Sequence, residues 1–192
     1  MSIDQDTLKQ RLKDYTFFHS IQLGDGIETP GQPLSKHKKY VLKLIASQDL
    51  VGKRVLDIGC ANGLLLESVR DWTPHALVPH GIDFVQELIE YARARHPGFE
   101  ANFAVANVWE WEPARAYDYV RTNLEYVPPE DWPEYLRRVA RPARRLIVCH
   151  YVNADEQLVD CAELLDRCGY DVAGESDAPG VSLAWTDVRR AT

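Results

Sequence analysis

The segment VLDIGCANG, from Val55 to Gly63, constrains the fold of this chain more than any other part of the sequence. An apolar run ends at Asp57, glycines follow at positions 59 and 63, and apolar residues then resume at helical spacing. Glycine adopts backbone angles barred to other residues and lets the main chain approach a ligand closely. In open α/β sheets, the first turn between a strand and a helix is the usual contact of a bound ligand. The segment therefore predicts a strand, a ligand-binding turn and a helix, in that order.

Strand-like and helical runs continue to alternate after this turn. In a helix predicted from Phe84 to Arg95, for example, apolar residues keep the i, i+3, i+4, i+7 spacing of one apolar face: Val85, Leu88, Ile89 and Ala92. The alternation implies right-handed crossovers and a mostly parallel sheet with helices on both faces, whereas the last two strands, joined only by a turn, should be antiparallel. We predict one α/β domain with a seven-stranded sheet, whose strands cover residues 54–58, 77–83, 102–106, 117–122, 145–151, 170–175 and 181–188.

The composition is that of an ordinary folded domain. The 192 residues are 45% hydrophobic and 27% charged, which fits one globular domain rather than a disordered chain. A net charge of −7 argues against broad capture of a nucleic-acid backbone, which needs a basic surface. No apolar run reaches the length of about 18 residues that spans a membrane, and the first residues do not resemble a signal peptide, so we expect a cytoplasmic protein. The four cysteines form no CxxC pair, so we expect no metal site.

Two carboxylates at strand ends indicate the chemistry of the ligand. Asp57 could bind an ammonium group and would repel a pyrophosphate. Asp83 ends the second strand about 20 residues after Gly63, which is the position from which an acid binds ribose hydroxyls. The dinucleotide fingerprint GxGxxG is absent, because Ala61 takes the place of its middle glycine. A nicotinamide enzyme is therefore the weaker interpretation, and a donor with a ribose and a methionyl ammonium group is favoured.

This acid, followed by a glycine-rich turn that opens a helix, resembles the first motif of the class I S-adenosylmethionine-dependent methyltransferase family. The resemblance runs from Lys53 to the C-terminus and implies a Rossmann-like methyltransferase domain that uses S-adenosylmethionine. Asn107 stands where the family usually has an acidic residue, and its amide oxygen can still accept a hydrogen bond from adenine. The residues that the resemblance assigns to the cofactor are Asp57, Gly59, Cys60, Ala61 and Gly63 in the turn, Asp83 and Phe84 after the second strand, Asn107, Val108 and Trp109 after the third, and Asn123 and Leu124 after the fourth.

The stretch from Phe18 to Gly31 resembles the lead-in of small relatives of the tRNA wobble-uridine carboxymethyltransferase group, through its His-Ser-Ile, Asp-Gly and Thr-Pro-Gly elements. We do not carry the tRNA substrate over, because this acidic chain has no evident RNA-binding extension. Methyl transfer requires that water be excluded, so we predict that residues 1–50 form a helical and loop lid on a core at 51–192. His19 in the lid and His150 at the end of the fifth strand are candidates for a general base, although a structural role is the commoner one for either.

The leading functional hypothesis is methylation of a small or carrier-bound metabolite at oxygen, nitrogen or sulfur. Two alternatives stay open. The arginines between positions 137 and 145 could bind tRNA or another nucleic acid, although charge runs on helices are usually solvated faces. A chain that binds the donor without turnover would instead serve as a catalytically inactive partner subunit. The sequence argues against nucleic-acid and membrane partners and leaves the oligomeric state open.

Overall fold

Runs rich in β-branched and apolar residues form the strands of this protein, and amphipathic runs form the helices that cover them. The computed structural model describes residues 48–71, 77–124, 127–151, 157–176 and 180–188. The predicted lid lies outside these residues apart from positions 48–50. The strands are β1 (Arg54–Ile58), β2 (Val78–Asp83), β3 (Phe103–Val105), β4 (Tyr117–Asn123), β5 (Ala143–Tyr151), β6 (Val172–Glu175) and β7 (Val181–Asp187). The helices are α1 (Leu64–Asp71), α2 (Gln86–Arg95), α3 (Trp132–Ala140) and α4 (Cys161–Arg167).

The strand order in the sheet is β3-β2-β1-β4-β5-β7-β6. The first five strands pair in parallel, and the order reverses direction between β1 and β4, where Asp57 lies opposite Arg121. In open α/β sheets, the crevice at such a reversal is where ligands bind. The glycine-rich turn that follows β1 therefore lies at the switch point of the sheet.

The C-terminal hairpin completes the sheet. β7 runs antiparallel to both β5 and β6 and lies between them, so the predicted antiparallel pairing of the last two strands is confirmed. The pairing of β6 with β7 shifts register next to Gly174. A Cβ at Gly174 would lie 2.3 Å from Cζ2 of Trp185, so only glycine lets the two strands approach here.

Helices cover both faces of the central strands. Residues 146–149 of β5 are consecutive and each is at most 1% exposed, the pattern of a strand buried on both sides. On one face, α3 and α4 pack through buried side chains such as Leu136 and Leu165. On the other face, Leu66 and Val69 of α1 line a small cavity with residues of β1, β4 and β5. The predicted two-sided cover is confirmed, and no helix among the described residues is long and apolar enough to cross a membrane.

One helix begins later than its sequence pattern predicts. We expected a helix from Phe84, but α2 begins at Gln86. The Asp83 carboxylate accepts a hydrogen bond from the Val85 N–H over 3.0 Å, and Val85 stays extended, with φ −92° and ψ 113°. Because an aspartate side chain competes for the backbone N–H two residues further on, it delays the helix.

Candidate functional site

The turn after β1 is fixed to the end of β2. Gly59, Ala61 and Gly63 have φ angles of 73°, 47° and 76°. For an alanine, this left-handed region costs about 1–2 kcal/mol, because Cβ comes close to the following carbonyl oxygen. In this conformation the Ala61 N–H donates to Oδ2 of Asp83 over 3.0 Å. The middle residue of the turn is thus tied to the predicted ribose-binding carboxylate.

The two glycines of the turn have different surroundings. Among the described residues, a Cβ at Gly59 would meet no heavy atom within 4 Å, so this position borders open space in that part of the chain. A Cβ at Gly63 would lie 3.1 Å from both Cβ of Ala92 and Nε2 of His96. Gly63 therefore allows α2 and the residue after it to pack closely on the turn. Gly59 instead leaves the main chain accessible, as a bound ligand would require.

His96, which belongs to no recognisable sequence motif, supports the turn from behind. The side chain is fully buried, and its ring stacks on Phe103 at a centroid distance of 4.8 Å. Arg70 donates to Nδ1 over 3.1 Å, so the neutral ring carries its proton on Nε2, which donates to the Gly63 carbonyl over 3.0 Å. Burial lowers the pKa of His96, which favours this neutral form. The only local signal for His96 is its position just after α2.

Cys60 contributes its backbone to the turn. Its N–H donates to the Ile82 carbonyl over 3.1 Å. Its thiol packs against Gly81, where an added Cβ would lie 2.6 Å from Sγ of Cys60 and 2.7 Å from the Phe103 ring. Burial, and then the nearby Asp57, raise the pKa of this thiol well above its ordinary value. The thiol is therefore unreactive, as expected for a buried structural cysteine.

Asp57 forms a buried ion pair with Arg121 on the neighbouring strand. Nη1 of Arg121 lies 2.9 Å from Oδ1 of Asp57, and the two residues are 6% and 1% exposed. Burial raises the pKa of the Asp57 carboxyl, and the guanidinium of Arg121 opposes this rise. The role of Asp57 toward an ammonium group stays a prediction. The pair borders the cavity under α1, and the other lining residues that the structure describes are apolar: Leu50, Val55, Leu65, Leu66, Val69, Leu77 and Ile147.

Asp83 and Phe84 lie where the second strand ends. Oδ2 of Asp83 accepts the Ala61 N–H and Oδ1 accepts the Val85 N–H, both over 3.0 Å, and the Phe84 N–H also interacts with the carboxylate. A carboxylate can accept about four hydrogen bonds, so capacity for a ribose hydroxyl remains. Burial raises the pKa of Asp83 against the opposing effect of these N–H groups. Phe84 is 39% exposed, an unusually open position for a large apolar ring.

The segment after β3 forms a closed turn from Asn107 to Trp111, which we call the 107–111 turn. The Asn107 carbonyl accepts the N–H groups of Glu110 and Trp111 over 3.0 and 2.8 Å. Oδ1 of Asn107, the atom predicted to accept from adenine, accepts the Trp109 N–H over 3.0 Å. An amide oxygen has two lone pairs, so one remains for a ligand. The turn adjoins Asp83, whose carbonyl accepts the Ala106 N–H.

The end of β4 is built into the core. Asn123 and Leu124 are 8% and 1% exposed. Thr122 hydrogen-bonds through its hydroxyl to the Tyr135 hydroxyl, and burial raises the pKa of Tyr135 to about 12. The Leu124 side chain therefore packs in the core, and the backbone of this segment is the part that lies next to the switch point. Residues 125 and 126, which complete the predicted loop, lie outside the described residues.

The structure describes one of the two histidines that are candidates for a general base. His19 lies outside the described residues. His150 is at the end of β5, where its Nδ1 accepts the Val159 N–H over 3.1 Å. With Nδ1 engaged, the neutral ring carries its proton on Nε2 and would have to break this bond to accept a proton at Nδ1. The role of His150 as a base stays a prediction.

The arginines that could form a nucleic-acid patch are each paired with a carboxylate of this chain. The five arginines share four carboxylates, which offset most of their positive charge locally. Exposed pairs of this kind add little stability, yet they reduce the net positive field that would attract a phosphate backbone. The pairs are Arg137 with Glu134, Arg138 and Arg141 with Glu112, Arg144 with Asp118, and Arg145 with Asp187.

Comparison with protein families gives a match over the same part of the chain. Residues 55–145 match the family model described as a methyltransferase domain. This range contains the turn, Asp83, the 107–111 turn and the end of β4. The malonyl-[acyl-carrier protein] O-methyltransferase of Acetivibrio thermocellus is 34% identical over 92 residues, which cover 46% of this chain and 32% of that protein. This chain therefore spans about a third of the length of that curated relative.

Solved structures share this fold over most of the chain. The magnesium protoporphyrin IX methyltransferase of Synechocystis PCC 6803, with bound S-adenosylmethionine, is 20% identical with a TM-score of 0.63, over 96% of this chain and 97% of that chain. The mitomycin 7-O-methyltransferase is 20% identical with a TM-score of 0.59, over 78% of this chain and 53% of that chain. At these identities the likeness concerns the fold, and it confirms the predicted Rossmann-like methyltransferase architecture.

Proposed function

Because this chain carries a class I S-adenosylmethionine-dependent methyltransferase domain, we propose that it transfers a methyl group from S-adenosylmethionine to a small or carrier-bound metabolite. One observation carries the proposal: the 3.0 Å hydrogen bond from the Ala61 N–H to Asp83. It joins the glycine-rich turn and the strand-end acid into one continuous surface at the switch point. Gly59 leaves this surface open.

The described residues fit the donor. The open space beside Gly59 suits a ligand that lies along the main chain, and the remaining acceptor capacity of Asp83 suits a ribose hydroxyl. The exposed ring of Phe84 offers an apolar face to a nucleobase. Asp57 lies at the end of β1, where its carboxylate is directed by Arg121. When bound, S-adenosylmethionine supplies a methyl group on a positively charged sulfur.

The acceptor class is inferred from charge and from the relatives. The curated relative is named for a carrier-bound substrate and the two structural neighbours described above for small molecules, whereas a further neighbour, with a TM-score of 0.57, is named for RNA. The local pairing of the arginines at 137–145 and the net charge of −7 argue against a nucleic-acid acceptor. These observations favour a metabolite as the methyl acceptor.

We propose His150 as the residue that removes a proton from the acceptor, a role that requires Nδ1 of His150 to release the Val159 N–H first. We expect His150→Gln to leave donor affinity unchanged and to slow turnover, with a changed dependence of kcat on pH. Turnover equal to that of the wild type over the whole pH range would remove His150 from the mechanism.

Calorimetric titration with S-adenosylhomocysteine tests the donor site directly, with NADH as the comparison ligand. Micromolar binding of S-adenosylhomocysteine alone is the expected result and would justify a screen of methyl acceptors. No binding, or tighter binding of NADH, would contradict the proposal. Donor binding without turnover on any acceptor would support an inactive partner subunit, and turnover on tRNA with a steep salt dependence would support the nucleic-acid alternative.

A further inference from the structure

Arg138 of α3 attaches the 107–111 turn to the body of the domain. Nε of Arg138 donates to the Val108 carbonyl over 2.5 Å, and Nη2 donates to the Trp111 carbonyl over 2.9 Å. The side chain is only 20% exposed. Hydrogen bonds from a charged donor are shorter and stronger than neutral ones, and the planar guanidinium fixes both acceptors in one relative orientation.

The remaining hydrogen bonds described for the turn act within it. The Asn107 carbonyl and Oδ1 accept the N–H groups of Trp109, Glu110 and Trp111, which closes the turn on itself. These bonds fix the shape of the turn but not its place. Its place depends on the preceding residue, whose N–H donates to the Asp83 carbonyl, on the packing of its apolar side chains against the hydrophobic core, and on α3.

A second side chain of α3 contacts the same turn. Tyr135, one helical turn before Arg138, has its ring centroid 5.9 Å from that of Trp109. The Tyr135 hydroxyl hydrogen-bonds to Thr122 at the end of β4. Residues on one side of α3 therefore connect the 107–111 turn with the switch point, and Arg138 supplies the directional bonds of this connection.

We propose that Arg138 is a positioning residue for recognition of the donor's nucleobase. It fixes the position of the Val108 backbone, and with it the Asn107 side chain, so that both can hydrogen-bond to the edge of the base. This inference rests on the proposed function. The methionyl and ribose parts of the donor face Asp57, Gly59 and Asp83, which are held by other contacts, so Arg138 affects the base and not the rest of the ligand.

Arg141 provides a matched control. It follows α3 directly and pairs with the same carboxylate, Glu112, at 3.2 Å, while Arg138 pairs with Glu112 at 3.3 Å. The Arg141 side chain is 57% exposed, and among the described contacts it reaches no carbonyl of the 107–111 turn. Arg138→Ala and Arg141→Ala remove the same charge, and only the first removes the bonds to Val108 and Trp111.

The experiment compares two ligands that differ only in the base. Calorimetry gives the affinities of S-adenosylhomocysteine and of S-inosylhomocysteine, in which a carbonyl replaces the 6-amino group. We expect the wild type to prefer the adenine ligand. Arg138→Ala should lower the affinity for S-adenosylhomocysteine by about tenfold and reduce the preference for adenine, because charge-assisted hydrogen bonds are lost. Arg138→Lys should restore part of the preference, and Arg141→Ala should keep all of it.

Several results would overturn the inference. An equal loss of affinity for both ligands in Arg138→Ala would leave Arg138 a structural role only. A loss of the preference for adenine in Arg141→Ala as large as that in Arg138→Ala would lead to the same conclusion. If Arg138→Ala does not fold, Arg138→Gln, which keeps one donor group, gives the same comparison. A wild type that binds neither ligand would end the proposed function itself, whereas loss of selectivity confined to the variants concerns Arg138 alone.

Discussion

Replacing Arg121 with methionine should leave Asp57 buried without its partner. Removing one member of a buried ion pair costs about 3–5 kcal/mol of stability. The carboxyl can avoid being charged and unpaired by binding a proton. For a carboxyl with the ordinary pKa of 3.8, protonation costs about 4 kcal/mol at pH 7 and about 1.5 kcal/mol at pH 5. Because the cheaper route limits the loss, we expect Arg121→Met to lose about 3–4 kcal/mol at pH 7 and about 1–2 kcal/mol at pH 5.

The sign of this pH dependence follows from the direction of the pKa shift. Burial raises the pKa of Asp57 in the folded protein, and Arg121 lowers it. In Arg121→Met the folded pKa rises further, while the unfolded pKa is unchanged. A carboxyl with a raised folded pKa favours folding at low pH, and this contribution is lost as the pH rises through the folded pKa. The deficit of Arg121→Met must therefore grow from pH 5 to pH 7.

Urea unfolding of both proteins at pH 5 and pH 7 gives the free energies of unfolding. Arg137→Met is the control, because Arg137 pairs with Glu134 and both side chains are more than half exposed. Removal of such a pair should cost at most about 0.5 kcal/mol. A deficit of Arg121→Met that is the same at both pH values would refute the unpaired charge as its cause. A deficit as small as that of the control would refute the burial of the pair.

Three further outcomes are expected from the described contacts. Gly63→Ala should lower the free energy of unfolding by about 1–3 kcal/mol in urea titrations, because its Cβ would press on His96 and its φ is 76°. Gly59→Ala should lose less stability but bind S-adenosylhomocysteine more weakly. A larger loss of stability in Gly59→Ala, or a larger loss of affinity in Gly63→Ala, would contradict the two roles. Asp83→Ala should lower the affinity for S-adenosylhomocysteine, measured by calorimetry, by about tenfold or more. Unchanged affinity would show that Asp83 does not contact the donor. Burial lowers the pKa of His80 from 6.5 to about 4 in the folded protein. As the pH falls through this range, the unfolded chain binds a proton first, so the free energy of unfolding decreases. The melting temperature of His80→Phe should decrease less over the same range, and an equal decrease would exclude His80 as the source.

Local sequence was enough to predict the turn after β1 and the strand-end acids. A strand, a glycine-rich turn and a helix are specified by neighbouring residues, so the positions of Asp57, Gly59 and Asp83 at the switch point follow from the sequence pattern and the α/β rule. The antiparallel C-terminal hairpin was predictable for the same reason, because a short connection excludes a crossover.

The partners of these residues could not be predicted, because they depend on packing between distant parts of the chain. Arg121 meets Asp57 only through the register of β1 with β4, which the sequence does not state. His96 reaches the Gly63 carbonyl from the end of α2, and Arg138 reaches Val108 from α3. In each case the local pattern shows a polar residue near an apolar run, and three-dimensional proximity determines what it contacts.

The inner position of β7 has a consequence for synthesis on the ribosome. β5, with four consecutive buried residues, obtains its second neighbour only when residues 181–187 have emerged. Until then the nascent chain presents an apolar strand with an unpaired edge, the kind of surface on which other chains aggregate. We expect the sheet to close only after residue 187 has emerged, and a chain stalled before residue 181 to depend on chaperones for its solubility.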